Sequence, residues 1–283
     1  MATSTRTQSL TIKPITTALG AEIAGIDLSG PLAPETVQAL RQALLDHLVI
    51  FFRDQDLNAE QYLAFAHAIG EPMEYPFTKG LPDASLITPV VKEADEEVNF
   101  GGVWHSDTAY LEEPPMATML LARETPPYGG DTMFANQQLA YERLSDGLRN
   151  ILDGLTAINS SVRADGIRTR IDKDVPVLDD QDTAGFMAEH PVVRTHPESG
   201  RKSLFVNRGH TVNFVGMSEE ESLPILNYLF EHQVRDEFTC RFRWRPGSLA
   251  LWDNRAALHY PLNDYHGHRR EMHRITLRGD KPR

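Results

Sequence analysis

From Ser85 onward the chain breaks into many short apolar runs: "SLITPVV", "MATMLLARE", "DTMFAN", "HPVVRTH", "SLFVN", "FTCRFRW", "GSLALWD" and "MHRITLR", punctuated by Gly, Pro, Asn and Asp. Runs this short, bounded by turn formers, read as strands. Many such strands in succession bury their apolar faces against one another, which points to a sandwich or jelly roll with helices packed outside it.

The first third is mixed. "LTIKPI" and "AEIAGIDL" read as strands around a turn at Gly20, and "LVIFFR" as a buried strand. In "APETVQALRQALLDHL", Val37, Leu40, Leu44 and Leu48 recur at helical spacing behind Pro34, which suits a first turn. "NAEQYLAFAHAIG" predicts a second helix, with Asn58 as N-cap, Gln61 at the reciprocal capping-box position and Gly70 closing the C-terminus. A helical flank over about 31–70 therefore precedes a β core over about 85–280. Within that core "SEEESLPILNYLFEHQV" is a helix in which Pro224 demands a kink or a start nearer Ser222. Residues 163–189 are polar, Asp-rich and poorly periodic, the character of a lid. No repeat or boundary divides the chain, so residues 1–283 are expected to form a single domain.

Composition excludes several functions. A formal charge of −12 argues against a nucleic-acid surface, which needs clustered positive charge. No apolar run is long enough for a membrane span, and "MATSTRTQSLTIKP" lacks the apolar stretch of a signal peptide. Cys240 is the single cysteine, so neither an internal disulfide nor a cysteine zinc site is expected, and the cytoplasm is the expected compartment.

Chemistry gathers in "WHSDTAY". In an extended segment residues two apart point to the same side, so His105 and Asp107 can converge on one point. An imidazole and a carboxylate so placed are two of the three ligands in the facial triad of non-haem Fe(II) oxygenases; H-x-D alone is a common triplet, and a distant histidine must complete it. Of the chain's 11 histidines, His259 stands out: "GSLALWDNRAALHY" runs a buried strand into a turn and then presents an imidazole. Downstream, "HRREMHRITLRGD" puts Arg270, Met272, Arg274 and Thr276 on one strand face, with the two arginines roughly 13 Å apart. One guanidinium suits the carboxylate of a co-substrate and the other an acidic group of the substrate. Trp104, Tyr110, Phe134 and Trp252 flank these motifs and suit an apolar wall.

"WHSDTAY", "GGDTMFAN", "WDNRAALHYPLNDY" and "RREMHRITLRGDKP", in this order, resemble the Fe(II)- and 2-oxoglutarate-dependent taurine dioxygenase family, which includes alkylsulfatases and phenoxyalkanoate dioxygenases. The resemblance runs from "LGAEIAGIDL" almost to the C-terminus and implies a double-stranded β-helix, or jelly roll, in an α+β but mainly β chain. It implies His105, Asp107 and His259 as the iron ligands, with no catalytic residue beyond them. It matches Thr132 and Arg270 to the positions that hold the distal carboxylate of 2-oxoglutarate, and Arg274 to the one that binds the substrate's anionic group. O2 is the oxidant, succinate and CO2 are by-products, and the substrate is a small organic anion: a sulfonate, sulfate ester or aryloxyalkanoate. Relatives that halogenate replace the carboxylate ligand, so Asp107 implies hydroxylation. The resemblance also suggests a homo-oligomer.

Two departures bear on the substrate. Tyr75 stands where taurine-specific members carry a sulfonate-binding histidine, and His210 stands where they carry phenylalanine. Both residues are expected at the substrate and argue against taurine itself. Two other functions share the motif. A zinc hydrolase also uses two histidines and a carboxylate, but has no need of Arg270 and Thr132. A non-catalytic metal-binding jelly roll would show erosion of a ligand or an arginine, and none is eroded.

Overall fold

The structure, a computed structural model, describes residues 10–76, 78–162 and 185–283. Its largest unit is an eight-stranded sheet whose alternating side chains serve two cores. In β3 (Val49–Phe52), Val49 and Phe51 enter one apolar cluster, Ile50 and Phe52 the other. The same alternation sends Ala250 and Trp252 of β14 (Leu249–Asp253) to the first and Leu249 and Leu251 to the second. This follows from the two-residue period of a strand and explains why "LVIFFR" and "GSLALWD" carry unbroken apolar runs.

The sheet also contains β1 (Thr11–Pro14), β2 (Ala21–Ala24), β4 (Pro72–Met73), β5 (Thr88–Lys92), β6 (Ala117–Glu124) and β16 (Arg270–Leu277). Their order is β1-β2-β3-β14-β6-β16-β4, with β5 also paired to β16. Only the β2–β3 pair is parallel in this sheet. On one face lie α1 (Pro34–His47) and α2 (Ala59–Ile69), which contribute Leu40, Leu44, Phe65 and Ile69 to the outer core. Asn58 and Gln61 form the expected capping box at the start of α2.

On the other face sits a three-stranded sheet of β13 (Thr239–Phe242), β7 (Thr132–Asn136) and β15 (Ala257–Pro261), in that order. Phe51 stacks on Phe242 at 3.9 Å and meets Phe134 edge-on at 5.6 Å, locking the two sheets together. Two facing sheets with helices outside the larger one make the jelly roll that the strand pattern predicts. A third apolar cluster joins α5 (Glu219–His232) to β8 (Thr156–Ser160) and β12 (Thr211–Phe214).

Four local expectations are corrected. Gly70 caps α2 in an extended conformation, φ −167°, rather than a left-handed one. Helix α5 starts at Glu219 and runs through Pro224, because Ser218 and Glu221 form a capping box three residues earlier than the proline alone implies. "HPVVRTH" divides between β9 (Met187–Pro191) and β10 (Val193–Thr195), where Val192 turns its N–H to Leu155. Of the lid expected over 163–189, residues 163–184 lie outside the described residues, and Met187 to Glu189 belong to strand β9 instead of a loop. No helix among the described residues is long and apolar enough to cross a membrane.

Candidate metal centre and its flanking arginines

His105, Asp107 and His259 come together: one donor atom from each lies within 4.8 Å of the others, and all three are buried. Asp107 Oδ1 is 3.8 Å from both His105 Nε2 and His259 Nε2. The backbone around them differs from the expected strand. His105 makes an isolated antiparallel bridge with His259, and Asp107 already belongs to a turn in which Thr108 takes φ 43°. His259 lies in the middle of β15 rather than at a strand end opening onto a loop. Convergence therefore comes from a bridge followed by a turn, which swings the carboxylate back toward the histidine pair.

The donors are prepared for a cation. His105 Nδ1 lies 2.7 Å from the Val103 carbonyl, so that nitrogen carries the proton and Nε2 keeps its lone pair. Thr118 donates a 2.6 Å hydrogen bond to Asp107 Oδ2, leaving Oδ1 toward the histidines. Burial alone would raise the Asp107 pKa, but His259, Arg274, His105 and the Thr118 bond outweigh it and hold it down to about 2. Burial pushes His259 down to about 3, reinforced by His105 and Arg274, so its imidazole is neutral at pH 7. The His105 and His259 imidazoles, with ring centroids only 4.1 Å apart, and an ionised carboxylate form a donor set that fits a divalent metal. Gly101 makes room: at φ +71° it passes so close that an added Cβ would lie 2.9 Å from His105 Cε1.

Both arginines also reach the cavity, with Thr132, Trp252, Val90 and Leu120 among its walls. Arg270 is buried, and its Nε and Nη2 have no hydrogen-bond partner among the described residues. The same two atoms of Arg274 are likewise unpaired, while its Nη1 is 3.8 Å from Asp107 Oδ1. Burial lowers the Arg270 pKa, yet a guanidinium stays charged at neutral pH. Buried cations with open hydrogen-bonding edges call for an anion. Thr132, beside Arg270, accepts a 3.0 Å hydrogen bond from Trp244 Nε1 and so keeps its own proton to donate.

Tyr75 and His210 belong to the same neighbourhood. The Arg274 guanidinium lies 3.8 Å above the Tyr75 ring. His210 stands edge-on to His105 at 6.0 Å and to Tyr110 at 4.9 Å, with no hydrogen-bond partner for its Nδ1 among the described residues and its pKa pushed down to about 3 by burial and by His105. Of the expected aromatic wall, Phe134 and Trp252 pack against His259 at 6.3 and 4.7 Å, whereas Trp104 leans on Tyr260. Sequence patterning passes over Trp244, Thr118 and Asn254, whose contacts join distant strands. A second buried cluster carries no signal in the sequence pattern: His196 donates through Nε2 to Asp253, which Arg255 grips with Nε at 2.9 Å and Nη2 at 2.7 Å.

A jelly roll with an H-x-D and a remote histidine gathered inside it defines the class of mononuclear, non-haem metal oxygenases. Residues 11–276 match the model of the taurine catabolism dioxygenase TauD, TfdA family. An alpha-ketoglutarate-dependent sulfate ester dioxygenase of Pseudomonas putida is 34% identical over 290 residues, covering 100% of this chain and 94% of that protein. A crystal structure of a taurine dioxygenase from Burkholderia xenovorans superposes with a TM-score of 0.83 at 36% identity, over 97% of this chain and 92% of that one. That of AAD-2 in complex with Mn(II) and N-oxalylglycine gives 0.79 at 28% identity, over 97% and 99%. The chain belongs to the TauD/TfdA family, and it is a 2-oxoglutarate-dependent dioxygenase.

Proposed function

We propose that His105 Nε2, Asp107 Oδ1 and His259 Nε2 hold one ferrous ion, that Thr132 and Arg270 hold the distal carboxylate of 2-oxoglutarate, and that Arg274 receives the substrate's anionic group. The observation that carries this reading is the pair of buried guanidiniums on one face of β16, each with N–H groups beside the trio that have no partner among the described residues. When bound, iron couples the oxidative decarboxylation of 2-oxoglutarate by O2, to succinate and CO2, to hydroxylation of a substrate C–H bond.

The protein's part is to bind, orient and exclude water. Thr132 donates one hydrogen bond and Arg270 a charged fork, which together fix the keto end of the co-substrate toward the trio. Arg274, flanked by the rings of Tyr75 at 3.8 Å and Phe100 at 5.5 Å, presents its edge to an oxyanion. Neutral His210 offers a further polar contact. The relatives support a sulfate ester, sulfonate or aryloxyalkanoate, and Tyr75 with His210 favours an anion other than taurine. Hydroxylation at the carbon bearing such a group gives an adduct that collapses and releases it. A hydrolytic zinc site would leave the Arg270 subsite without a role. Cytoplasmic residence and a homo-oligomeric state belong to the same reading.

The test is anaerobic addition of Fe(II) and 2-oxoglutarate to metal-free protein, followed by the visible charge-transfer band of a chelated 2-oxo acid. Retention of the band by His259→Ala would refute the ligand assignment. Succinate formation triggered by members of a panel of sulfate esters, sulfonates and aryloxyalkanoates then identifies the substrate class.

A further inference from the structure

We infer that Asn254 and Thr118 are positioning residues that hold Asp107 as a one-oxygen ligand, through a directional hydrogen-bond relay running from Trp252 to the carboxylate. Three links make it. Trp252 Nε1 lies 2.9 Å from Asn254 Oδ1, Asn254 Nδ2 lies 2.8 Å from Thr118 Oγ1, and Thr118 Oγ1 lies 2.6 Å from Asp107 Oδ2.

Each donor direction follows from the one before. An indole N–H only donates, so the group facing it on Asn254 must be the carbonyl oxygen. The amide nitrogen therefore faces Thr118 and donates to its hydroxyl oxygen. Having accepted there, that hydroxyl directs its single proton to the short contact with Asp107 Oδ2. All of these side chains are buried, so no water substitutes for a missing link. Asn254 is itself tied to the metal-binding segment: its carbonyl accepts from Ser106 Oγ at 2.9 Å, and its own N–H donates to Met116 at 2.9 Å. Trp252 also packs against His259, so the end of β14 and the turn that follows it brace one histidine and the carboxylate together.

The consequence is coordination number. A carboxylate with both oxygens free can chelate a cation through both and take a position that the 2-oxo acid or O2 needs. Oδ2 held by Thr118 leaves only Oδ1, the atom that already faces both histidines and Arg274. This inference rests on the metal reading above, and the experiment separates the two.

Co(II), whose visible absorption reports coordination number, is titrated into metal-free wild type and into Thr118→Val, Thr118→Ser and Asn254→Ala, with melting temperature measured alongside. Outer hydrogen-bond partners of metal ligands typically change affinity by about ten- to a hundredfold. Thr118→Val is therefore expected to lose at least about tenfold in Co(II) affinity and to change the absorption band. Thr118→Ser restores both, and Asn254→Ala moves affinity and band in the same direction as Thr118→Val. Adding Asn254→Ala to Thr118→Val should weaken binding no further, because the relay is already cut. If Thr118→Val fails to fold, Asn254→Ala alone decides the matter. A folded Thr118→Val or Asn254→Ala with wild-type affinity and spectrum overturns the relay. Failure of wild type to bind Co(II) overturns the metal assignment instead.

Discussion

His105 and His259 exchange backbone hydrogen bonds in both directions, His105 N–H to the His259 carbonyl at 3.1 Å and the reverse at 2.9 Å. The bridge sets the two imidazoles side by side, and the turn at Asp107 to Tyr110 places the carboxylate.

Because Gly101 lies against the His105 ring, Gly101→Ala should damage metal binding more than it damages the fold. Its φ of +71° costs about 1–2 kcal/mol for an L side chain, and the new methyl pushes the ring out of line. The expected result is a metal affinity lowered at least about tenfold with a melting temperature down by only a few degrees. Calorimetric titration beside a thermal melt checks it.

Arg270→Leu should raise the KM for 2-oxoglutarate by about a hundredfold, from the loss of a charge-assisted pair. Trp244→Phe keeps the ring near Arg270 but removes the N–H that orients Thr132, so a rise of about fivefold is expected. Neither variant should change the affinity for a 2-oxo acid that lacks a distal carboxylate, such as 2-oxobutyrate. Equal loss for both co-substrates would count against this placement of the subsite.

Arg274→Lys preserves charge and discards the planar fork lying over Tyr75. Substrate KM should rise at least about tenfold while the anaerobic 2-oxoglutarate band persists. Steady-state kinetics with the identified anion, run against that band, distinguishes an anion site from a structural arginine.

Acid should destabilise the metal-free protein through His210. The unfolded imidazole takes up its proton near 6.5, whereas the buried one refuses it until about 3. Stability from this group is complete above pH 6.5 and falls as pH drops toward 3, by up to about 1.4 kcal/mol per pH unit. His210→Phe should flatten the decline in melting temperature between pH 6.5 and 4.5; an unchanged slope would exclude His210 as its source.

Behind the site, Arg255→Met strands Asp253, whose carboxyl is held well below the usual carboxylate range by Arg255 and His196 against the opposing effect of burial. Removing one partner of a buried ion pair costs about 3–5 kcal/mol. Urea unfolding should show a loss of unfolding free energy of that size, read as a lower midpoint with little change in slope.

Much of this is legible in the chain itself. The buried strand in "LVIFFR", the alternation in "MHRITLR", the box formed by Asn58 and Gln61, and the shared face of Arg270 and Arg274 are consequences of backbone period and near neighbours, and these act within a few residues. The H-x-D pair and the later histidine were also visible as motifs. Folding alone decided that His105 pairs with His259, that Trp244 reaches Thr132, and that a relay from Trp252 ends on Asp107. The His105–His259, Trp244–Thr132 and Asn254–Thr118 contacts join residues more than a hundred positions apart, and the donor directions depend on which groups share a buried space. No local periodicity encodes that; it emerges when two sheets close on each other and every enclosed polar atom must find a partner or await a ligand.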